Sequence, residues 1–216
     1  MYRAMVIGLG SFGSALVKEL MTKGETEVIV IETDQEKAQQ FKDLVSQVIV
    51  GDATKREVLA EFGKDMDCAI VCLGERIDSS VLITYCLKEI GVKRIIAKAT
   101  TEDHAKILSV VGADEVISPE SDTAKRLAAS LVSPGIVDFV KLSEDFNIIE
   151  IAVPDKFVKK TIKELQLRSE YGIQVLAIKN ALMGESQVMP SPDYELKPDD
   201  VLIVLGGADA LKKVRF

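Results

Sequence analysis

The sequence predicts an α/β fold, a Rossmann-like doubly wound parallel sheet followed by a small C-terminal α+β domain. Three observations carry this. A glycine-rich turn of the form G-x-G-x-x-G (Gly8-Leu9-Gly10-Ser11-Phe12-Gly13) sits between an apolar run and a helical pattern. Short apolar runs then alternate with helical stretches as far as residue 118. From about residue 142 the rhythm changes to strand, helix, strand, loop and strand.

The first step is a strand at 3–8, a tight turn and a helix at 12–23. Gly8 turns the chain, Gly10 lets a pyrophosphate approach the backbone, and Gly13 lets the helix sit close to the strand. The helix start offers free N–H groups and partial positive charge to phosphates. A second apolar strand at 27–32 ends in Glu32, nineteen residues past Gly13. A dinucleotide fold places there the acid that accepts the ribose hydroxyls, and its charge repels a 2′-phosphate, which disfavours NADP. Strands at 47–50, 67–73, 94–99 and 115–117 follow, with helices at 35–44, 54–62, 77–91 and 101–112. The strands are nearly unbroken apolar runs, as expected where helices cover both faces of a parallel sheet. Right-handed crossovers then give the strand order 3-2-1-4-5-6.

A helix is expected at 123–132, capped by Ser121 or Asp122 and broken by Ser133-Pro134-Gly135. The apolar residues Leu127, Leu131, Ile136, Phe139 and Val140 recur at helix-like spacings on either side of that break, with no place in the completed sheet. They read as helices that leave their domain and pack on a second copy. The last part reads as strand 147–153, helix 158–166, strand 172–180, a polar loop 184–194, strand 200–206 and a terminal helix 208–214. The expected domains are therefore 1–118 for nucleotide binding, 119–141 for crossover and dimerisation helices, and 142–216 for the small domain.

The net charge of −7 includes no basic run, which argues against nucleic-acid binding. With 16 basic and 22 acidic residues before position 141, and 11 and 12 from it onward, the acidity (−6 against −1) belongs to the first domain. No apolar stretch approaches the roughly 18 residues needed to cross a bilayer, and no leader precedes the first strand, so a cytoplasmic protein is expected. Cys68 and Cys72, on one face of one predicted strand, and Cys86 read as small core residues rather than metal ligands. Glu120 reads as a first-turn helix glutamate, and Lys98, at the carboxyl end of its strand, points either to the ligand crevice or to solvent at a sheet edge. Asp52 reads as a turn aspartate or a cap for the helix at 54–62. The lone histidine, His104, reads as a helix-surface residue. With no Tyr-x-x-x-Lys pair present, an NAD-dependent oxidoreductase is only the alternative reading.

Beyond the glycine turn, Glu32-Thr33-Asp34, Gly51-Asp52-Ala53-Thr54 and Ile117-Ser118-Pro119-Glu120 fall in an order that resembles the RCK family. So do Tyr171-Gly172-Ile173-Gln174-Val175-Leu176-Ala177-Ile178 and Pro198-Asp199-Asp200-Val201-Leu202-Ile203-Val204-Leu205-Gly206. These are Trk- and Ktr-type cytoplasmic regulators of potassium transport, built from TrkA-N and TrkA-C domains. The resemblance implies a non-enzymatic subunit beneath a membrane K⁺-translocating partner, forming homodimers and then a ring, expected to be an octamer. Binding of an adenine nucleotide (NAD(H), ATP, ADP or AMP) changes the ring's shape and gates the partner.

The resemblance further implies that Gly8, Gly10, Ser11, Phe12 and Gly13 cradle phosphates and Glu32 holds the ribose. It places Asp52 and Ala53 beside the adenine, directs Lys98 to phosphate, and gives Glu120 a role in holding a divalent cation near a dimer mate. Members that prefer triphosphate carry an arginine where this chain has Ser11, so strong ATP selectivity is not expected. Leu167-Arg168, Tyr171-Gly172, Pro190 and Pro192 match a region that binds cyclic di-adenylate in some relatives. A purely dimerising role for the small domain is the alternative.

Overall fold

The computed structural model describes residues 1–24, 26–132, 136–143 and 146–207. The chain divides into two compact units, Met1–Ser121 and Asp122–Phe216.

In the first unit six parallel strands lie in the order β3-β2-β1-β4-β5-β6, as expected from the sequence. They are β1 (Tyr2–Ile7), β2 (Thr26–Glu32), β3 (Gln47–Val50), β4 (Cys68–Val71), β5 (Ile95–Lys98) and β6 (Glu115–Ile117). The intervening helices are α1 (Ser11–Thr22), α2 (Gln35–Gln39), α3 (Arg56–Gly63), α4 (Ile77–Ile90) and α5 (Glu102–Val111). Strand alternation sorts the apolar side chains into two layers. Ala4, Val6, Val28 and Val30 pack with Val17 of α1 and with Phe41. Met5, Ile7, Ile29 and Ile31 face the other way, toward Leu59, Ile83, Leu87 and Leu108 of α3, α4 and α5. With both faces covered, no strand position needs to be polar, and the unbroken apolar runs follow. The order reverses between β1 and β4, so the crevice opens at the carboxyl ends of those strands.

All three cysteines are buried free thiols, as the sequence led us to expect. Burial pushes the Cys72 thiol up to about 12, and Lys98 lowers it only partly.

His104 corrects the sequence reading. It is only 1% exposed, not a helix-surface residue. The Thr100 N–H donates to Nδ1 at 3.3 Å, and this network assigns the proton to Nε2, which donates to Ser80 Oγ at 2.7 Å. The Ser80 hydroxyl donates in turn to the Ile77 carbonyl at 3.0 Å. One imidazole thus ties α5 to α4 and to the segment after β5. The charged neighbours Glu102 and Asp103 made the site look exposed, but they cover only the outer face of the helix turn.

In the second unit five antiparallel strands lie in the order β10-β9-β11-β8-β7. They are β7 (Ile136–Lys141), β8 (Asn147–Ala152), β9 (Ile173–Asn180), β10 (Ser186–Val188) and β11 (Asp200–Gly206). The expected second crossover helix is overturned here, because residues 136–141 pair with β8 instead. Four of the first five residues of that run are Ile, Val, Phe and Val, which favour a pleated surface over a helix. Helix α6 (Pro119–Val132) also starts earlier than expected. Proline suits the first helical position, so neither Ser121 nor Asp122 is a cap. The single helix expected at 158–166 is instead a 3₁₀ turn (Asp155–Phe157) and two short helices, α7 (Ile162–Leu165) and α8 (Leu167–Glu170). Lys159 and Gln166 take positive φ (63° and 45°), which interrupts any continuous helix. Thr161 and Glu164 form a capping box that restarts it. The polar loop 184–194 contains β10. The helix break expected at 133–135 and the terminal helix expected at 208–214 lie outside the described residues.

Burial lowers the His104 imidazole below its ordinary value of 6.5. As pH falls, the unfolded chain therefore takes up this proton before the folded one. The stability that His104 contributes is present above about pH 6.5 and is lost as pH falls toward the lower folded value. Urea denaturation at about pH 7.5 and 5.5 should show a larger loss in the wild type than in His104→Gln; equal losses would contradict this.

Candidate functional site

The crevice begins where β1 ends. Gly8 takes φ +94°, in the left-handed region that other residues avoid, and its N–H donates to the Ile31 carbonyl at 2.9 Å. A methyl group on Gly13 would lie 2.0 Å from the Gly8 carbonyl oxygen, so only glycine permits this turn to close onto the helix. Gly10 is different: a methyl group there would meet nothing within 4 Å. Its small size serves no internal packing, and the open space lies at the start of α1, whose first turn carries no acidic residue. Ser11 is exposed and Phe12 half-buried in that same turn.

Glu32 ends β2 and is 9% exposed. Its Oε1 accepts from the Thr33 N–H at 2.7 Å, the Asp34 N–H at 2.9 Å and the Thr33 hydroxyl at 3.2 Å. Its Oε2 accepts one bond, from the Leu9 N–H at 2.6 Å. Burial works to raise this carboxyl, but the N–H groups of Asp34 and Leu9 and the Thr33 hydroxyl outweigh it and hold the group below the usual range. The charged carboxylate therefore faces the glycine loop, and among the described residues one lone-pair direction of Oε2 is uncommitted.

Asp52 lies past β3, and its Oδ1 accepts from the Thr54 N–H at 3.0 Å and the Thr54 hydroxyl at 2.7 Å. These bonds hold the carboxyl low, with smaller help from the charges of Arg76 and Lys55. Lys55 rather than Asp52 is the helix N-cap, so the capping alternative is set aside and the turn reading stands. Oδ2 makes no hydrogen bond among the described residues. Ala53 beside it is buried.

Lys98, at the end of β5, is 8% exposed, which removes the edge-exposed reading. Its Nζ lies 6.0 Å from the centroid of the Phe12 ring and pairs with the Glu120 carboxylate in the first turn of α6. A methyl group on Gly74 would lie 3.5 Å from Nζ, an ordinary van der Waals contact, so the ammonium lies close to that turn. The Lys98 hydrogen bond holds Glu120 below the usual carboxylate range against a small opposing effect of burial. Thus the glycine loop meets the buried Glu32 carboxylate through Leu9 and the buried Lys98 at Phe12. Gly74 and Arg76 escaped the sequence reading. Their signal was the strand-to-helix turn Leu73-Gly74-Glu75-Arg76, a position equivalent to the glycine loop one strand over.

Among the described residues, no three His, Cys, Asp or Glu side chains gather as a metal site. Glu120 faces Lys98.

Comparison with known proteins agrees with this architecture. Residues 4–119 match the TrkA-N domain, and residues 148–215 match the TrkA-C domain. The chain belongs to the TrkA-N family. It is 37% identical over 209 residues to Ktr system potassium uptake protein C of Bacillus subtilis, covering 96% of this chain and 93% of that protein. It is 32% identical to Ktr system potassium uptake protein A of the same organism, with the same coverage. The RCK domain of GsuK shares the fold, with a TM-score of 0.70 at 18% identity, over 99% of this chain and 47% of that one.

The second unit of this TrkA-N family chain holds a groove of about 470 Å³ lined by Ile162, Lys163, Gln166, Arg168 and Gln174 among others. Of the residues singled out from the sequence, Leu167 and Arg168 reach this groove. Tyr171 instead packs edge-on against Phe157, with centroids 5.4 Å apart. Gly172, Pro190 and Pro192 are not in the lining.

The two glycines separate by experiment. Gly13→Ala should lower urea-measured stability by about 3 kcal/mol or more, because backbone must move. Gly10→Val should remain folded, yet lose at least tenfold in ADP affinity by calorimetry, about 1.4 kcal/mol. Unchanged affinity in a folded Gly10→Val protein would remove the loop from the site.

Proposed function

We propose that this chain is the adenine-nucleotide-binding regulatory subunit of a potassium-uptake system, acting from the inner face of the membrane through a K⁺-translocating partner. One observation carries the reading: the loop of residues 8–13 is bonded to Glu32 through Leu9 and overhung by Lys98 at Phe12. The nearly full-length likeness to two potassium-uptake proteins supplies the biological setting.

The residues present fit such a ligand. The free direction of Glu32 Oε2 would accept a ribose hydroxyl, and its charge would repel a 2′-phosphate. The open space at Gly10 and the first-turn N–H groups of α1 would receive the phosphates. Asp52 Oδ2 would accept from the exocyclic amine of adenine, next to Ala53. GsuK structures have been solved bound to NAD and to ADP, which accords with an adenine nucleotide.

The chain works here as a regulator, not a catalyst. The lone histidine, one candidate acid–base group for a dehydrogenase, is buried and bonded through both ring nitrogens to Ser80 and Thr100.

Assembly has two apolar faces to use. On α4 and α5, Leu82, Tyr85, Ile107 and Val110 are exposed; on α6, Leu127 and Leu131 are 58% and 74% exposed. Two such faces per chain support a homodimer and its closure into a ring, here read as an octamer. Nucleotide binding would then change the ring's shape and gate the partner. No helix among the described residues is long and apolar enough to cross a membrane.

Calorimetry tests the ligand. Because the loop carries Ser11 and no cation, ATP and ADP should differ by less than about tenfold in affinity without added metal. A hundredfold preference for ATP would overturn this. Light scattering tests the assembly: the wild type should be at least dimeric at micromolar concentration, and Leu131→Asp should weaken it by burying an unpaired charge. A monomeric wild type would overturn the ring.

A further inference from the structure

We propose that Glu120 sets the selectivity of the crevice for phosphorylated ligands by occupying Lys98 until a phosphate displaces it. This rests on the nucleotide-binding reading above and adds to it a competition between two anions for one ammonium group.

The two partners are unequally placed. The Lys98 side chain is 10% exposed and that of Glu120 is 67% exposed. Lys98 is buried, with its Nζ 6.0 Å from the centroid of the Phe12 ring in the glycine loop. Its Nζ therefore stays beside the glycine loop, where a phosphate would sit. Glu120 is held from the rim, on the first turn of α6, and can swing into water at little cost. When a phosphate arrives, Lys98 can exchange one carboxylate for a more highly charged group that the α1 N-terminus also favours. Glu120 would then stand beside a like charge and is repelled. An unphosphorylated nucleoside brings nothing that could compete, and leaves the pair intact.

Loss of the Glu120 charge therefore acts in opposite directions under two descriptions. If Glu120 competes with phosphate, its removal tightens phosphorylated ligands. If Glu120 serves the ligand by holding a cation, its removal weakens them. The release also has a defined location in the chain, because α6 starts in the first unit and continues into the second.

The test compares wild type, Glu120→Gln, Lys98→Met and the double variant Lys98→Met with Glu120→Gln, by calorimetry with adenosine and with ADP in the presence of a chelator. Glu120→Gln should bind ADP about two- to fivefold more tightly, the upper part of the range for an exposed ion pair. Its adenosine affinity should stay within about twofold of wild type. In the Lys98→Met background, restoring or removing Glu120 should make no difference to ADP. Unchanged or weaker ADP binding in folded Glu120→Gln overturns the competition while leaving the nucleotide site in place. A gain shared equally by adenosine also overturns it, since that would mark a structural effect. A wild type that binds neither ligand overturns the nucleotide-binding reading itself.

Discussion

The Leu9–Glu32 hydrogen bond is the interaction on which the crevice depends. A carboxylate that is 9% exposed stays ionised only if donors surround it, and here the donors are backbone N–H groups at the ends of two neighbouring strands. Meeting the needs of Glu32 thus fixes the glycine loop against the end of β2. The same bond gives the loop its shape before any ligand arrives. Gly8 and Gly13 complete the constraint from the other side by allowing the turn and the helix to touch. Preorganisation of this kind reduces the ordering cost of binding a flexible dinucleotide or nucleotide.

Much of the first unit was legible in the sequence because one physical cause acts on every strand. A sheet covered on both faces demands continuous apolar runs, and the runs at 28–31, 68–71 and 95–97 are that demand written out. The order 3-2-1-4-5-6 then follows from crossover handedness. The second unit was less legible. The run at 136–140 is apolar enough to suit either period, and only the antiparallel partner β8 decides for a strand. At 158–166 the decision lies in two left-handed residues, Lys159 and Gln166, whose conformations are set by contacts such as the Lys159 N–H to the Leu196 carbonyl at 2.9 Å. Such a contact joins residues far apart in sequence and leaves no local trace.

The candidate site divides in the same way. Gly8, Gly10, Gly13 and Glu32 were readable from spacing, since strand, turn and helix dictate where each must fall. Asp52 and Lys98 were ambiguous in sequence, each with a bland reading of equal or greater weight. Burial resolved Lys98, and the Thr54 bonds resolved which oxygen of Asp52 is engaged. His104 was misread because its flanking acids report the outer side of α5, whereas its own side chain points inward to Ser80. The pairing of Lys98 with Glu120 was not legible at all. It joins the end of β5 to the start of α6, and nothing in the intervening sequence marks the two as neighbours.

Charge distribution explains why such a site suits sensing. The glycine loop offers only dipoles and the neutral Ser11, and the buried cation of the crevice is already neutralised by Glu120. On the proposed reading, a ligand would have to combine a ribose for Glu32 with a phosphate for Lys98 to be held by both sides of the loop. A catalyst would instead keep its charged group aimed at a reacting atom throughout the cycle. If, as proposed, the internal ion pair and a bound phosphate exclude one another, the crevice has two electrostatic states, and a bound nucleotide would choose between them. That is the property a regulatory subunit requires, and here it lies at the first turn of the helix that leads out of the nucleotide-binding unit.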